Sequence, residues 1–422
     1  MSASRAHGYA GGMRARYVLL LAAFGLTMLG LVMIYSASSI TALSKEGASL
    51  YYFTRQAIFI AVGWAGALLI GRFDYRRLKD LGIPIWGFSV VLLVAVLVIG
   101  YVSHGAKRWI PLGLFNLQPS EIAKVACLVA ISIFAVQWRR GKLETKAFLA
   151  RVTVLTCVPA ALIMLQPDMG TTAVLVMAVV MILVLAGIGI RPMLGAGATL
   201  AALVAVFVMS SDYRMERVLG FLDPWADPAE KGYQAIQALY AFGSGGLSGV
   251  GLGFSRQKFF YLPEAHTDFI LAIIGEELGL IGTLAVLLGF VVFAWAGFKI
   301  AMGARDEFGR LLAGGVTGMI AFQAAMNMAA VTGMIPITGK PLPFISYGGS
   351  SMLATTLALG LLLSVSAYGT LAPRAVRSSK AGAASVQRPD KERMRESSRD
   401  WRVDRRTHIP RTRRSQKAAR RA

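Results

Sequence analysis

Apolar residues run in stretches of about twenty along most of the chain, separated by short polar segments. An α-helix rises about 1.5 Å per residue and a bilayer's hydrocarbon core is about 30 Å thick, so each stretch has the length of a membrane span. The pattern predicts ten spans: 17–35, 53–70, 81–100, 122–138, 148–165, 171–188, 193–209, 270–298, 311–332 and 351–368. The eighth is over-long, and its first turn or two is expected at the membrane interface. The fold class is an all-α polytopic membrane protein. A basic N-terminus (1–16) leads into a ten-helix bundle (17–370), with a large loop, 210–268, between helices seven and eight. The first run, Tyr17–Tyr35, follows Arg5, Arg14 and Arg16 and is long enough to stay as a helix, with no signal-peptide cleavage site evident.

Composition sharpens this picture. Of 422 residues, 55% are hydrophobic, more than the interior of a soluble domain can hide. The net charge of +22 does not point to nucleic acid, because residues 374–421 alone hold 17 Lys/Arg against 5 Asp/Glu. That tail, from 371 on, reads as a disordered cationic segment beside an anionic inner leaflet. Nucleic-acid binding is the second reading for the tail alone, and no such fold pattern supports it. Cys127 and Cys157 lie inside apolar runs and read as buried small hydrophobes.

Charge also orients the chain. With the N-terminus inside, inner segments carry 32 Lys/Arg and outer ones 9, and without the tail the split is still 15 to 9. Both termini are therefore expected in the cytoplasm. Segments 103–121, 165–171, 210–268 and 336–351 then share the outer face, which suggests one composite site. Solvated connectors are the plainer reading, but connectors do not need Trp, Gln and paired carboxylates beside apolar spans.

Two motifs fail on inspection. Gly333 to Lys340 (GMIPITGK) has five residues between its glycines, and Pro341 stands where a phosphate loop needs Ser or Thr. The run 243–253, GSGGLSGVGLG, lacks the strand–turn–helix context of a dinucleotide site and reads as a flexible or close-packed turn. An ATPase motor and a nicotinamide or flavin cofactor are thus not expected.

Gln257 to Gly279 carries the strongest chemistry, with Lys258, Glu264, His266, Thr267 and Asp268 packed before an apolar helix. A carboxylate such as Asp268 at that edge suits a general base or a ligand for a divalent cation. Equally, Thr267 or Asp268 would serve as a helix cap. Glu276 and Glu277, two turns deeper, read as structural or positioning groups. Lys124 and Arg55 are intramembrane cations: either Lys124 pairs with Glu121 on one helical face, or these cations form an anion path for a phosphate group. Arg108 and Trp109 offer a guanidinium for phosphate and an indole for a sugar or the interface.

Five stretches, SHGAKRWIPLG…LQPSEIAK, LQPDMGTT, KGYQAIQALYAFGSGG, YLPEAHTDFILAIIGEELG and PLPFISYGGSS, resemble the signatures of the SEDS family. The likeness covers about 17–370 and is greater to the family's division members than to its elongation or sporulation members. The resemblance implies a glycosyltransferase that polymerises lipid II into β-1,4 glycan strands at the outer face of the bacterial cytoplasmic membrane, at the division septum. Carried over by position, Asp268 is the essential aspartate and general base. Arg108, Trp109, Gln118, Glu121, Lys124, Gln166, Asp168, Lys258, Glu264, His266, Lys340, Ser346, Tyr347 and Ser350 are the substrate-binding candidates, His266 more as a shaper of the loop. Arg108, Lys258, Lys340 and Lys124, or a divalent cation (Mg or Mn), would offset the charge of departing undecaprenyl pyrophosphate. Two departures stand out: Asn116 replaces a basic residue of some members, and Lys340 sits closer to PLPFISYGGSS than the loop lysine of division members. Implied partners are a class B penicillin-binding protein transpeptidase, other division proteins and membrane lipids. Rival readings are a lipid II flippase, an elongation-type polymerase and a non-catalytic scaffold.

Overall fold

The computed structural model describes residues 3–103, 106–113, 115–189, 215, 220–230 and 232–369. It is built of α1 (Ala3–Glu46), α2 (Tyr51–Ile70), α3 (Leu78–Ile99), α4 (Pro119–Arg139), α5 (Thr145–Met164) and α6 (Met169–Ala186). These are followed by α7 (Tyr233–Gly245), α8 (Ile270–Met302), α9 (Glu307–Val331) and α10 (Gly349–Gly369). All but the short α7 are long and apolar enough to cross a membrane, giving nine spans among the described residues. They match nine of the expected stretches to within a few residues, except that the first helix runs from Ala3 to Glu46 and so takes in most of the expected N-terminal segment. The expected seventh span, 193–209, and the tail lie outside the described residues.

The helices differ in what they face. α4, α9 and α10 are buried through most of their length, whereas α2 and α3 keep only one stripe inside and turn Ile58, Val62, Val91 and Val98 outward. In lipid there is little hydrophobic drive between helices, so close backbone approach carries the packing. α2 and α10 use small residues for this: a Cβ on Gly63 would meet the Thr356 hydroxyl at 2.3 Å, and one on Gly360 would meet the Ala67 carbonyl at 2.9 Å.

Two features were not anticipated. Segment 101–117 is a small antiparallel sheet, β1 (Tyr101–Ser103), β2 (Ala106–Pro111) and β3 (Asn116–Leu117), with Tyr101 opposite Trp109 and Ile110 opposite Leu117. Strands this short have no periodicity to distinguish them from a loop. Second, α8 is not one rod. At Gly279 the backbone turns to φ 68°, ψ −164°, a conformation open only to glycine, and the helix breaks after Leu278. The over-long eighth stretch is thus a buried half-helix, Ile270–Leu278, followed by a membrane-length one. The glycine-dense run packs against this break. Val250 and Gly251 donate to the carbonyls of Glu276 and Glu277 at 2.9 and 3.1 Å, while Leu280 and Ile281 donate to Gly246 and Leu247. Of the two readings of that run, the close-packed turn is the observed one.

Candidate active site

The loops at one end of the bundle meet around Asp168. It stands at the N-cap of α6, where its carboxylate accepts from the Thr171 N–H at 3.0 Å and the Thr171 hydroxyl at 2.7 Å. Lys340, from the α9–α10 connection, places its ammonium 2.7 Å from Asp168 Oδ2 and against the Thr171 hydroxyl. Gln118 adds an amide N–H at 3.3 Å, and its own backbone N–H donates to Ser350 Oγ at 3.0 Å. Asp168 and Lys340 are 2% and 3% exposed, a burial that charged groups bear only when paired. Burial by itself would raise the Asp168 pKa. The Lys340 ammonium and the Arg108 guanidinium outweigh it and hold the carboxyl at about 2.

The small sheet brings in Arg108, whose Nε donates to the Gln166 carbonyl at 2.9 Å and whose Nη2 donates to the Pro167 carbonyl. Side chains alternate along a strand, so Trp109 points to the other side, in register with Tyr101, and is not part of this cluster. On α4, Lys124 contacts Glu121 at 3.0 Å, the local pair its spacing predicts, and donates to Gln323 Oε1 at 2.8 Å. Gln323 passes the chain on, donating to the Pro341 carbonyl at 3.1 Å. One amide then ties the network to Asp268: Asn327 Nδ2 donates to the carbonyls of both Asp268 and Lys340, at 2.8 and 2.7 Å.

Asp268 itself is half-buried just ahead of α8, and the N-cap position falls on Phe269, not on Thr267 or Asp268. Thr267 Oγ1 lies 3.1 Å from Asp268 Oδ1 and 2.8 Å from Glu264 Oε2. A Cβ built on Gly339 would stand 3.8 Å from Asp268 Oδ2, so the carboxylate looks onto the Gly339–Lys340 backbone. Glu264 turns the loop at φ 56°, its carbonyl accepting from the N–H groups of Thr267 and Phe269. His266 packs between the rings of Tyr52 and Tyr347, with centroids 4.7 and 5.6 Å away, and its pKa is lowered by that burial. The Ser346 hydroxyl accepts from Leu342 N–H at 2.8 Å, and burial pushes the Tyr347 phenol up to about 12.

Lys258 is not brought to this cluster. Its ammonium is 3.2 Å from Glu277 Oε1 and 2.5 Å from the Gly253 carbonyl, within a separate buried knot. Ser36 of α1 donates to Glu277 at 2.6 Å, and the Glu276 carboxylate accepts from the N–H groups of Arg256 and Gln257 and from the Ser255 hydroxyl. Both glutamates thus hold the loop to the half-helix, the positioning role read for them. Four partners went unnoticed in the sequence: Thr171, Gln323, Asn327 and Gln56, the last donating to the Ser346 carbonyl at 3.3 Å. The signal was available, since amides within apolar spans mark polar interiors.

Several polar atoms in the cluster have no hydrogen-bond partner among the described residues: both amide atoms of Gln166, Asn327 Oδ1 and Ser120 Oγ. Such groups cost free energy unless something else satisfies them. Among the described residues no group of three His, Cys, Asp or Glu side chains is arranged to hold a metal ion. The Asp268 and Glu264 carboxylates both lie within hydrogen-bond reach of Thr267 Oγ1, and paired carboxylate oxygens of this kind are the donor type that Mg²⁺ takes.

Residues 16–371 match the cell cycle protein family of FtsW, RodA and SpoVE. The chain is 45% identical over 360 residues to the "Probable peptidoglycan glycosyltransferase FtsW" of Trichlorobacter lovleyi, covering 84% of this chain and 94% of that protein. It is 40% identical over 345 residues to stage V sporulation protein E of Bacillus subtilis, covering 81% and 94%. Among solved structures, a chain of a peptidoglycan synthase complex that coordinates polymerization and crosslinking aligns with a TM-score of 0.69 at 30% identity, over 83% of this chain and 97% of that one. The rod shape determining protein RodA of Thermus thermophilus aligns with a TM-score of 0.62 at 28% identity, over 84% and 97%. This chain, with nine spans among its described residues and loops gathered on a buried Asp168–Lys340 pair beside Asp268, belongs to the FtsW, RodA and SpoVE family.

Proposed function

We propose that the chain is a peptidoglycan glycosyltransferase of the division type, polymerising lipid II at the outer face of the bacterial cytoplasmic membrane. The observation that carries this is the half-buried Asp268 carboxylate facing the Gly339–Lys340 backbone, beside a cationic and partly unpartnered polar cluster. The names of the relatives and the larger identity to FtsW than to RodA support it.

In the reaction, the acceptor's GlcNAc 4-hydroxyl oxygen attacks the donor's anomeric carbon. The bond from that carbon to pyrophosphate oxygen breaks, and Asp268 takes the hydroxyl proton. In-line attack converts an α-linked donor into a β-1,4 product. Arg108 adds a positive charge to the Lys340–Asp168 and Lys124–Glu121 pairs, whose ammoniums can turn to the departing undecaprenyl pyrophosphate, and preorganised charge of this kind is most effective in a dry site. Lys258, tied to Glu277, acts on the loop instead. Asp268 and Glu264 would hold a divalent cation, whose chemistry is neutralisation of pyrophosphate charge.

The lysine and arginine distribution supports the outer placement, with both termini inside. Septal location and a penicillin-binding transpeptidase partner follow from the reading, and the synthase complex that the chain resembles supports a crosslinking partner. Incubating the purified protein with lipid II in detergent tests the assignment. Polymer should form, and no flippase could produce it where there is no bilayer to cross. A well-folded Asp268→Ala protein polymerising at the wild-type rate would remove Asp268 from the mechanism.

A further inference from the structure

A second concavity lies apart from the Asp268 cluster, along α7. Two adjoining cavities of about 400 and 380 Å³ share Tyr240 between them. Both are open to the surface, so they suit an extended ligand laid along them and not an enclosed one. Arg256 and Gln257 line the first, and Trp225, Tyr233 and Gln237 line the second. The Trp225 and Tyr240 rings stand edge to face at 6.1 Å and are both about half exposed.

These walls are fixed in place. The Glu276 carboxylate accepts from the backbone N–H groups of Arg256 and Gln257 at 2.9 and 3.3 Å, which fixes the main chain of the turn that lines the cavity. A Cβ on Gly232 would collide with the Pro224 carbonyl at 1.9 Å, so the turn bearing Trp225 sits directly on the start of α7. At the other end, a Cβ on Gly245 would collide with the Gly275 carbonyl just as closely, so α7 is seated on the half-helix that follows Asp268.

The chemistry of the lining narrows the ligand. The lining offers hydrogen bonds through the exposed Arg256 guanidinium and the partly buried amide side chains of Gln237 and Gln257. An acyl chain leaves these polar groups unsatisfied, and a phosphate engages Arg256 but leaves the Trp225 and Tyr240 rings uncovered. A sugar suits the lining as a whole: its hydroxyl and acetamido groups pair with the amide side chains, its oxygens accept from Arg256, and its C–H faces lie on the rings. Two cavities joined through one ring suit successive units of a linear chain.

We propose that α7 and the 255–257 turn form a groove for a glycan strand of β-1,4-linked N-acetylated amino sugars. The source of that strand rests on the polymerase reading, and sugar binding itself does not. The groove retains the strand near the site, so its loss shortens the product without slowing the chemical step.

The test uses the full chain in detergent, titrated calorimetrically with chitotetraose. Saturable binding is expected for wild type and for Asp268→Asn. Trp225→Ala, Tyr240→Ala and Arg256→Gln should each weaken it by about fivefold or more. The same variants should make shorter polymer at an unchanged initial rate of lipid II consumption. Arg256→Gln, at an exposed position, keeps the test valid if an aromatic variant fails to fold. No saturable binding, or equal binding by all three variants, overturns the groove. Binding by a wild-type protein that makes no polymer from lipid II would overturn the polymerase reading and leave the groove standing.

Discussion

Two buried ionic knots lie in this molecule, and they are built to opposite rules. Around Glu276 and Glu277, the carboxylates are met by backbone N–H groups, by Ser36 and Ser255 and by Lys258, and the partners all belong to the chain. Around Asp168 and Lys340 the ion pair is equally buried, yet Gln166 and Asn327 keep amide atoms that nothing in the described chain satisfies. A saturated knot is architecture. An unsaturated one beside a half-buried carboxylate is a place for a ligand.

The largest test of that contrast is Asp268. Replacing it with Asn should lower lipid II polymerisation by about 10²–10⁴-fold, with little change in melting temperature. A retained rate would move the chemistry elsewhere. The saturated knot should respond in the opposite way: Glu277→Ala strands a buried ammonium, at a cost of about 3–5 kcal/mol, read as lost yield and a lower Tm in detergent. Replacing both partners, Lys258→Met with Glu277→Gln, should recover much of that stability. If the recovered double variant also regains polymerisation, the knot is structural.

Gln166→Leu sharpens the comparison from the other side. Its amide makes no hydrogen bond within the described chain, so Tm should hold, while KM for lipid II rises by up to about tenfold. A large fall in Tm with KM unchanged would place Gln166 with the architecture. The smallest effect concerns His266. Burial lowers its pKa in the fold, so the unfolded chain binds the proton more readily, and stability is full above about pH 6.5 and declines as pH falls through that value. A Tm–pH profile of His266→Gln should lose that decline.

The spans were legible because each is a simple length of apolar residues, and the charge count gathered the right loops. The motif residues Gln118, Asp168 and Lys340 were also legible, but their pairing was not. Asp168 and Lys340 are 172 positions apart, and no local pattern encodes a contact across that distance. Lys258 misled for the same reason. A lysine close to Asp268 in sequence reads as a site cation until the fold shows Glu277 beneath it. Gln56, Gln323 and Asn327 passed unnoticed because single amides barely disturb an apolar average.

The break at Gly279 has a consequence for how the molecule is made. An unbroken helix would pair the Glu276 and Glu277 carbonyls with Leu280 and Ile281. Here residues 246–251 take over both sides of those two lost bonds. Within a membrane, backbone groups cannot wait unpaired. The half-helix can therefore settle only once the preceding loop has folded back onto it. This region is expected to assemble late in biogenesis, and its amides should be the first in α8 to exchange with deuterium when the loop is loosened.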